Sequence, residues 1–181
     1  MVAPRPFPPP VTMPDAPSAP PTLRLHLPDA EATARAGAAL AAALRPGDAV
    51  LLSGEIGAGK SALARALIAT LLAEDGRAEE IPSPSFTLVQ VYDTLRGEVW
   101  HVDLHRLAGP EGAEELGLGD AFGEAVCLVE WPDRLGALAP SRRLELALDF
   151  AGADEAAGRW LEARAVGGDW DAALAALEDG A

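Results

Sequence analysis

Between the apolar run Ala49-Val50-Leu51-Leu52-Ser53 and the helix-forming run Ala62–Leu72 stands Gly54-Glu55-Ile56-Gly57-Ala58-Gly59-Lys60-Ser61. The string satisfies G-x-x-x-x-G-K-[ST] at every specified position, the pattern of a loop whose backbone N–H groups wrap a phosphate chain. Such a loop constrains the fold as much as the chemistry. It works where a buried strand ends and a helix begins, because the unpaired N–H groups and dipole of the helix N-terminus attract anions. The flanking runs supply both parts. The first reads as a strand buried on both faces, and the second as a strong helix stopped near Gly76.

Lys60 is the only lysine in 181 residues, and the other thirteen Lys/Arg positions are all arginine. Arginine is a rigid planar fork, whereas the lysine ammonium is a compact charge on a flexible stem. A loop wrapped around phosphate has room for the second shape and not the first. Within the loop, Gly57 and Gly59 permit close backbone approach, and Glu55, Ile56, Ala58 and Ala62 complete the cradle around the cofactor. Lys60 is expected to reach the β- and γ-phosphates and the Ser61 hydroxyl to coordinate Mg²⁺.

Mg²⁺ prefers oxygen ligands, so carboxylates are needed as well. Val99-Trp100-His101-Val102-Asp103-Leu104 and Leu128-Val129-Glu130-Trp131-Pro132 each place one at or near the end of an apolar strand. Ligands of open α/β sheets bind there. Asp103 is the candidate to orient or deprotonate an attacking water, and Glu130 to hold the metal directly or through water. Ser83-Pro84-Ser85-Phe86-Thr87 reads either as an ordinary turn or as a switch segment that senses the γ-phosphate through hydroxyls. Thr87 is its candidate catalytic residue. Trp131 walls the pocket or packs as core. His101 and His105 flank Asp103, but one cysteine and three scattered histidines make a poor zinc set.

The remaining chain is read more coarsely. Residues 1–21 contain nine prolines and read as a disordered or extended tail, leaving 22–181 as one nucleotide-binding domain. Leu23–Leu27 alternates like a strand with His26 on its polar face, and Asp29 is a plausible N-cap for an Ala-rich helix to Leu44. Further strands are expected at Thr87–Tyr92, Val99–Leu104, Ala125–Glu130, Leu144–Phe150 and Trp160–Val166. Helices are expected at Glu111–Leu116 and Asp169–Glu178. Cys127, in an apolar run, reads as a buried structural thiol. A net charge of −14 repels phosphate backbones and disfavours direct nucleic-acid binding. With no secretory-type apolar start and no membrane-length run, a soluble cytoplasmic protein is expected.

Taken in order, several segments resemble the TsaE family (formerly YjeE), the ATPase component of bacterial tRNA threonylcarbamoyladenosine synthesis. They are Leu27-Pro28-Asp29 with Thr33, the loop at Gly54–Ser61, Ser83–Val89, His101–Leu107, Glu114–Leu118 and Cys127–Pro132, all within roughly residues 23–166. The resemblance implies a three-layer P-loop α/β fold with a partly antiparallel sheet. It implies weak intrinsic ATPase activity with ATP and Mg²⁺, and action on the partners TsaB and TsaD, with tRNA reached only through the complex. It also implies that Asp103 and Glu130 are the functional carboxylates, with Glu130 a Mg²⁺ ligand, and that Thr33 and Arg159 lie by the nucleotide. Two departures stand out: Ser61 replaces the more usual Thr, and His105 stands where a Tyr is usual. Rival readings are a small-molecule kinase, against which stand scattered arginines and no lid-like insertion, and a nucleotide-dependent binding switch using the same loop and metal.

Overall fold

The computed structural model describes residues 22–152 and 157–181. The proline-rich segment 1–21, expected to be a tail, lies outside the described residues. In chain order the elements are β1 (Thr22–Leu27), α1 (Ala30–Ala41), β2 (Ala49–Ser53), α2 (Lys60–Glu74), β3 (Val89–Thr94) and β4 (Gly97–Asp103). There follow α3 (Pro110–Glu115), α4 (Leu118–Glu124), β5 (Val126–Glu130), 3-10 turns at Pro132–Arg134 and Gly136–Leu138, β6 (Arg143–Phe150), β7 (Arg159–Val166) and α5 (Asp171–Gly180).

The seven strands form one sheet in the order β1-β7-β6-β2-β5-β4-β3. The four central strands β6, β2, β5 and β4 run parallel, and β1, β7 and β3 pair antiparallel outside them. This is the mixed sheet the resemblance implies. Central strands alternate between two apolar layers. Val50 and Leu52 of β2 and Val126 and Leu128 of β5 pack with α1, α2 and α5. Ala49 and Leu51, with Cys127 and Val129, pack with α3, α4 and Leu135 on the opposite face. Strands buried on both sides read as continuous apolar runs, which is why periodicity alone did not separate the faces. Cys127 is fully buried, and burial pushes its thiol up to about 12.

Local chemistry sets the element ends. Asp29 caps α1, its side chain accepting from the Ala32 N–H at 2.7 Å. α2 stops after Glu74, where Gly76 at φ +70° lets the Gly76 and Arg77 N–H groups close back on the carbonyls of Ala73 and Leu72. α4 was not expected from sequence. Its run Leu118-Gly119-Asp120-Ala121-Phe122-Gly123-Glu124 carries two internal glycines, each costing about 1 kcal/mol in a helix. Burial of Leu118 and Ala121 against the sheet overrides that penalty. β3 begins at Val89 rather than Thr87, because Pro84–Leu88 closes as a turn with the Leu88 N–H on the Pro84 carbonyl at 2.7 Å. At the far end of the sheet, Arg142 clamps Asp48, 2% exposed, through Nε and Nη2, and covers the Trp170 ring.

α1 and α2 pack closely because Gly37 meets the backbone of α2: a Cβ there would collide with the Leu63 carbonyl oxygen. An unobstructed Gly→Ala change inside a helix stabilises by about 1 kcal/mol. Gly37→Ala is therefore expected to reverse that sign and destabilise by about 1–3 kcal/mol through overpacking. Denaturant unfolding of the variant checks this, and a raised midpoint would contradict the packing described.

Candidate functional site

The loop Gly54–Gly59 leaves β2 and enters α2 with Gly59 as its cap at φ +111°. Gly54 takes φ +136°, and a Cβ on it would collide with the Leu148 carbonyl oxygen. The first turn of α2 leaves the N–H groups of Lys60, Ser61 and Ala62 without intrahelical partners, while Leu63 N–H bonds the Gly59 carbonyl at 3.0 Å. Cavities of about 270 and 330 Å³ adjoin these groups. The smaller is lined by Gly57, Gly59, Lys60, Ser61, Ala62 and Arg65. The larger shares Gly57, Gly59 and Ala62 and runs on to Asp29, Thr33, Gly158 and Arg159. Thr33 and Arg159, 126 residues apart in the chain, thus face one space beside the loop.

The carboxylates arrive from the sheet. In β5 the alternation Val126, Leu128 toward α2 and Cys127, Val129 away puts Glu130 on the α2 face. In β4 the same count places His101 and Asp103 there, opposite to Trp100 and Val102. Register aligns them: Glu130 pairs with Leu52 of β2 on one side and Asp103 of β4 on the other. All three of His101, Asp103 and Glu130 are buried, at 0%, 5% and 2% exposure.

Hydrogen bonds then join the parts. Ser61 Oγ donates to Glu130 Oε2 at 2.8 Å, and His101 Nε2 lies 2.9 Å from Glu130 Oε1. Asp103 accepts on both oxygens, from Ser85 Oγ at 2.8 Å and from the His105 backbone N–H at 2.9 Å. Lys60 Nζ donates to the Gly54 and Glu55 carbonyls at 2.7 and 2.8 Å and sits 4.4 Å from the centre of the Trp131 ring. Trp131 also packs on His105 at 4.7 Å between ring centres. Burial pulls the Lys60 ammonium below its ordinary value, while the charges of Glu130 and then Asp103 pull it back up.

The sequence-predicted residues are therefore placed as follows. Lys60, Ser61, Asp103, Glu130 and Trp131 come together at the head of α2. Gly57, Ala58, Gly59, Ala62, Thr33 and Arg159 line the adjoining cavity, where Arg159 also stacks on Phe150 at 4.2 Å. Glu55 and Ile56 form an exposed lip, with only the Glu55 carbonyl turned to Lys60. Thr87 is not brought to this group: it is exposed, and its Oγ1 accepts from Gln90 Nε2 at 3.1 Å. Ser85, two residues earlier, makes the contact with Asp103 instead. His101 was not expected to join the site. Its signal was the two-residue spacing to Asp103, which in a strand means a shared face.

The donor set suits Mg²⁺. Among the described residues no three His, Cys, Asp or Glu side chains converge as an all-protein metal cage. A hydroxyl and one carboxylate oxygen beside a phosphate loop match a cation that keeps waters and takes further ligands from substrate phosphates.

Much of this geometry would serve any phosphate-binding loop, and the rest of the chain is more specific. Residues 27–159 match the family described as Threonylcarbamoyl adenosine biosynthesis protein TsaE. The chain belongs to the TsaE family. The match begins at Leu27 and ends at Arg159, so it spans every site residue named above. The tRNA threonylcarbamoyladenosine biosynthesis protein TsaE of Rickettsia bellii is 36% identical over 125 residues, covering 69% of this chain and 85% of that protein. The TsaE of Bacillus subtilis is 34% identical over 116 residues, covering 64% and 70%. The crystal structure of Bacillus subtilis YdiB superposes with a TM-score of 0.68 at 26% identity, over 88% of this chain and 96% of that one. In this TsaE-family chain no described helix is long and apolar enough to cross a membrane.

Because Lys60 is the sole lysine, an NMR titration on carbon-labelled lysine reads one resonance. Its midpoint is expected below 10.5. Glu130→Gln removes the larger of the two carboxylate charges that hold the ammonium up, so it should lower the midpoint further. A midpoint that rises in the variant would contradict this arrangement.

Proposed function

We propose that the chain is the Mg²⁺-dependent ATP-binding and ATP-hydrolysing component of tRNA threonylcarbamoyladenosine biosynthesis, acting on TsaB and TsaD. One observation carries the reading: the Ser61 hydroxyl and the Glu130 carboxylate meet at 2.8 Å at the head of α2, beside the buried Lys60 ammonium. In this reading the N–H groups of the loop and of the first turn of α2 bind the phosphates. Lys60 leaves the Gly54 and Glu55 carbonyls for the β- and γ-phosphate oxygens. Ser61 and Glu130 hold Mg²⁺, which when bound neutralises charge on the phosphates. Thr33 and Arg159 bound the space for the remainder of the nucleotide.

Asp103 is the group that positions the attacking water. Both of its oxygens are already engaged, by Ser85 and by the His105 N–H. A slow basal rate fits that arrangement, since a water must compete for an occupied carboxylate. Partners that rearrange Pro84–Leu88 would release Ser85 and raise the rate. The family match supports the place in tRNA modification. The charge of −14 supports contact with tRNA only through the other proteins of the machinery.

Lys60→Ala should lower ATP hydrolysis by about 100- to 1,000-fold, the range seen when one preorganised donor to a developing charge is removed; unchanged affinity and turnover would sink the phosphate-loop assignment. Glu130→Ala should weaken Mg²⁺-dependent hydrolysis more than nucleotide binding measured in EDTA. For the biological assignment, ATPase activity is measured with and without purified TsaB and TsaD. Stimulation and co-elution are expected, and the absence of both would count against the role.

A further inference from the structure

His101 holds no obvious structural duty that an apolar residue would not perform better. It is fully buried in β4, opposite Leu128 of β5 and one pleat below the Asp103–Glu130 pair. Its Nε2 reaches Glu130 Oε1 at 2.9 Å, and its Nδ1 is buried with no hydrogen-bond partner among the described residues. A side chain chosen only to fill this space would avoid stranding a polar nitrogen. The imidazole is there for one bond. A carboxylate can only accept, so that bond places the proton on Nε2.

The consequence falls on Glu130. With Oε1 taken by the imidazole, only Oε2 faces Ser61 and the head of α2. We propose that His101 is a positioning residue for the cation site: it locks the Glu130 carboxylate so that one oxygen alone is presented beside Ser61. The inference rests on the reading of Ser61 and Glu130 as Mg²⁺ ligands. His101 touches neither nucleotide nor metal in this scheme and acts through Glu130. Partners of ligating carboxylates orient them in this way, and losing such a partner costs about 10- to 100-fold in metal affinity.

The test uses the full chain and reads nucleotide affinity as a function of Mg²⁺, by calorimetry with ATP, alongside the same measurement in EDTA. Two variants separate positioning from packing. His101→Leu keeps bulk and removes the donor; His101→Gln carries an amide N–H₂ near the place of Nε2. The expected result is that His101→Leu raises the Mg²⁺ concentration at half-effect by about 10- to 100-fold while affinity in EDTA stays within about threefold. His101→Gln should restore the Mg²⁺ half-effect to within about threefold of the parent. Equal losses with and without Mg²⁺, or a His101→Leu variant with the parental Mg²⁺ dependence, would overturn the proposal. So would a His101→Gln variant as impaired as His101→Leu. If the parent chain itself binds nucleotide with no Mg²⁺ dependence, the ligand assignment of Ser61 and Glu130 falls first, and this inference falls with it.

Discussion

Three parallel strands end in line, and the site depends on that alignment. β2 delivers the glycine loop, β5 ends in Glu130 and β4 ends in Asp103, with Leu52, Glu130 and Asp103 side by side across the sheet. A slip of one residue in the pairing of β5 would turn Glu130 to the α3–α4 face and Val129 toward the head of α2. What prevents the slip is ordinary packing. Val126 and Leu128 are matched to the α1–α2 layer, Cys127 and Val129 to the other, and neither layer accepts the exchange. The aim of the carboxylates is thus set by apolar residues that take no part in chemistry.

Burial tells the same story from the polar side. The buried polar or charged residues among those described are Thr33, Asp48, Lys60, His101, Asp103 and Glu130. All but Asp48 stand at the head of α2 or line the cavity beside it. Asp48 is held by Arg142 at the opposite end of β2, where it ties the strand start to the entry of α5. Desolvated charge is therefore spent in one structural clamp and one site, and in the site each carboxylate oxygen has a donor. Such a cluster specifies a unique arrangement, because any single displacement strands a buried group.

Much of this was legible in the sequence, for reasons that can be named. A phosphate loop carries its own context, so β2, the loop and α2 follow from one string. Glu130 and Asp103 stand out as carboxylates terminating apolar runs, and Asp29 as a cap ahead of a helix. Thr87 and Ser85 were harder. Both are hydroxyls in one short segment, and only the turn at Pro84–Leu88, with Leu88 at φ +66°, decides which of them faces Asp103. The sequence marks His101 only as a poor zinc candidate, because its partner lies 29 residues away on a neighbouring strand. Its two-residue spacing to Asp103 was visible, but pairing register is a tertiary fact. α4 was missed because its glycines argue against a helix that only the sheet can induce.

Trp131 follows Glu130 with φ +61° and ψ +53°, a left-handed conformation that costs a non-glycine residue about 1–3 kcal/mol. Its N–H still reaches the Leu52 carbonyl at 3.2 Å, and its ring covers the Lys60 ammonium. These two demands pull the choice of amino acid in opposite directions. Glycine, asparagine or aspartate would relax the backbone, but none of them offers an aromatic face. Phenylalanine or tyrosine would keep a face and keep the strain. Position 131 therefore trades backbone ease against the aromatic area set over the Lys60 ammonium. The strain at the end of β5 is a lasting cost of covering the chain's only lysine.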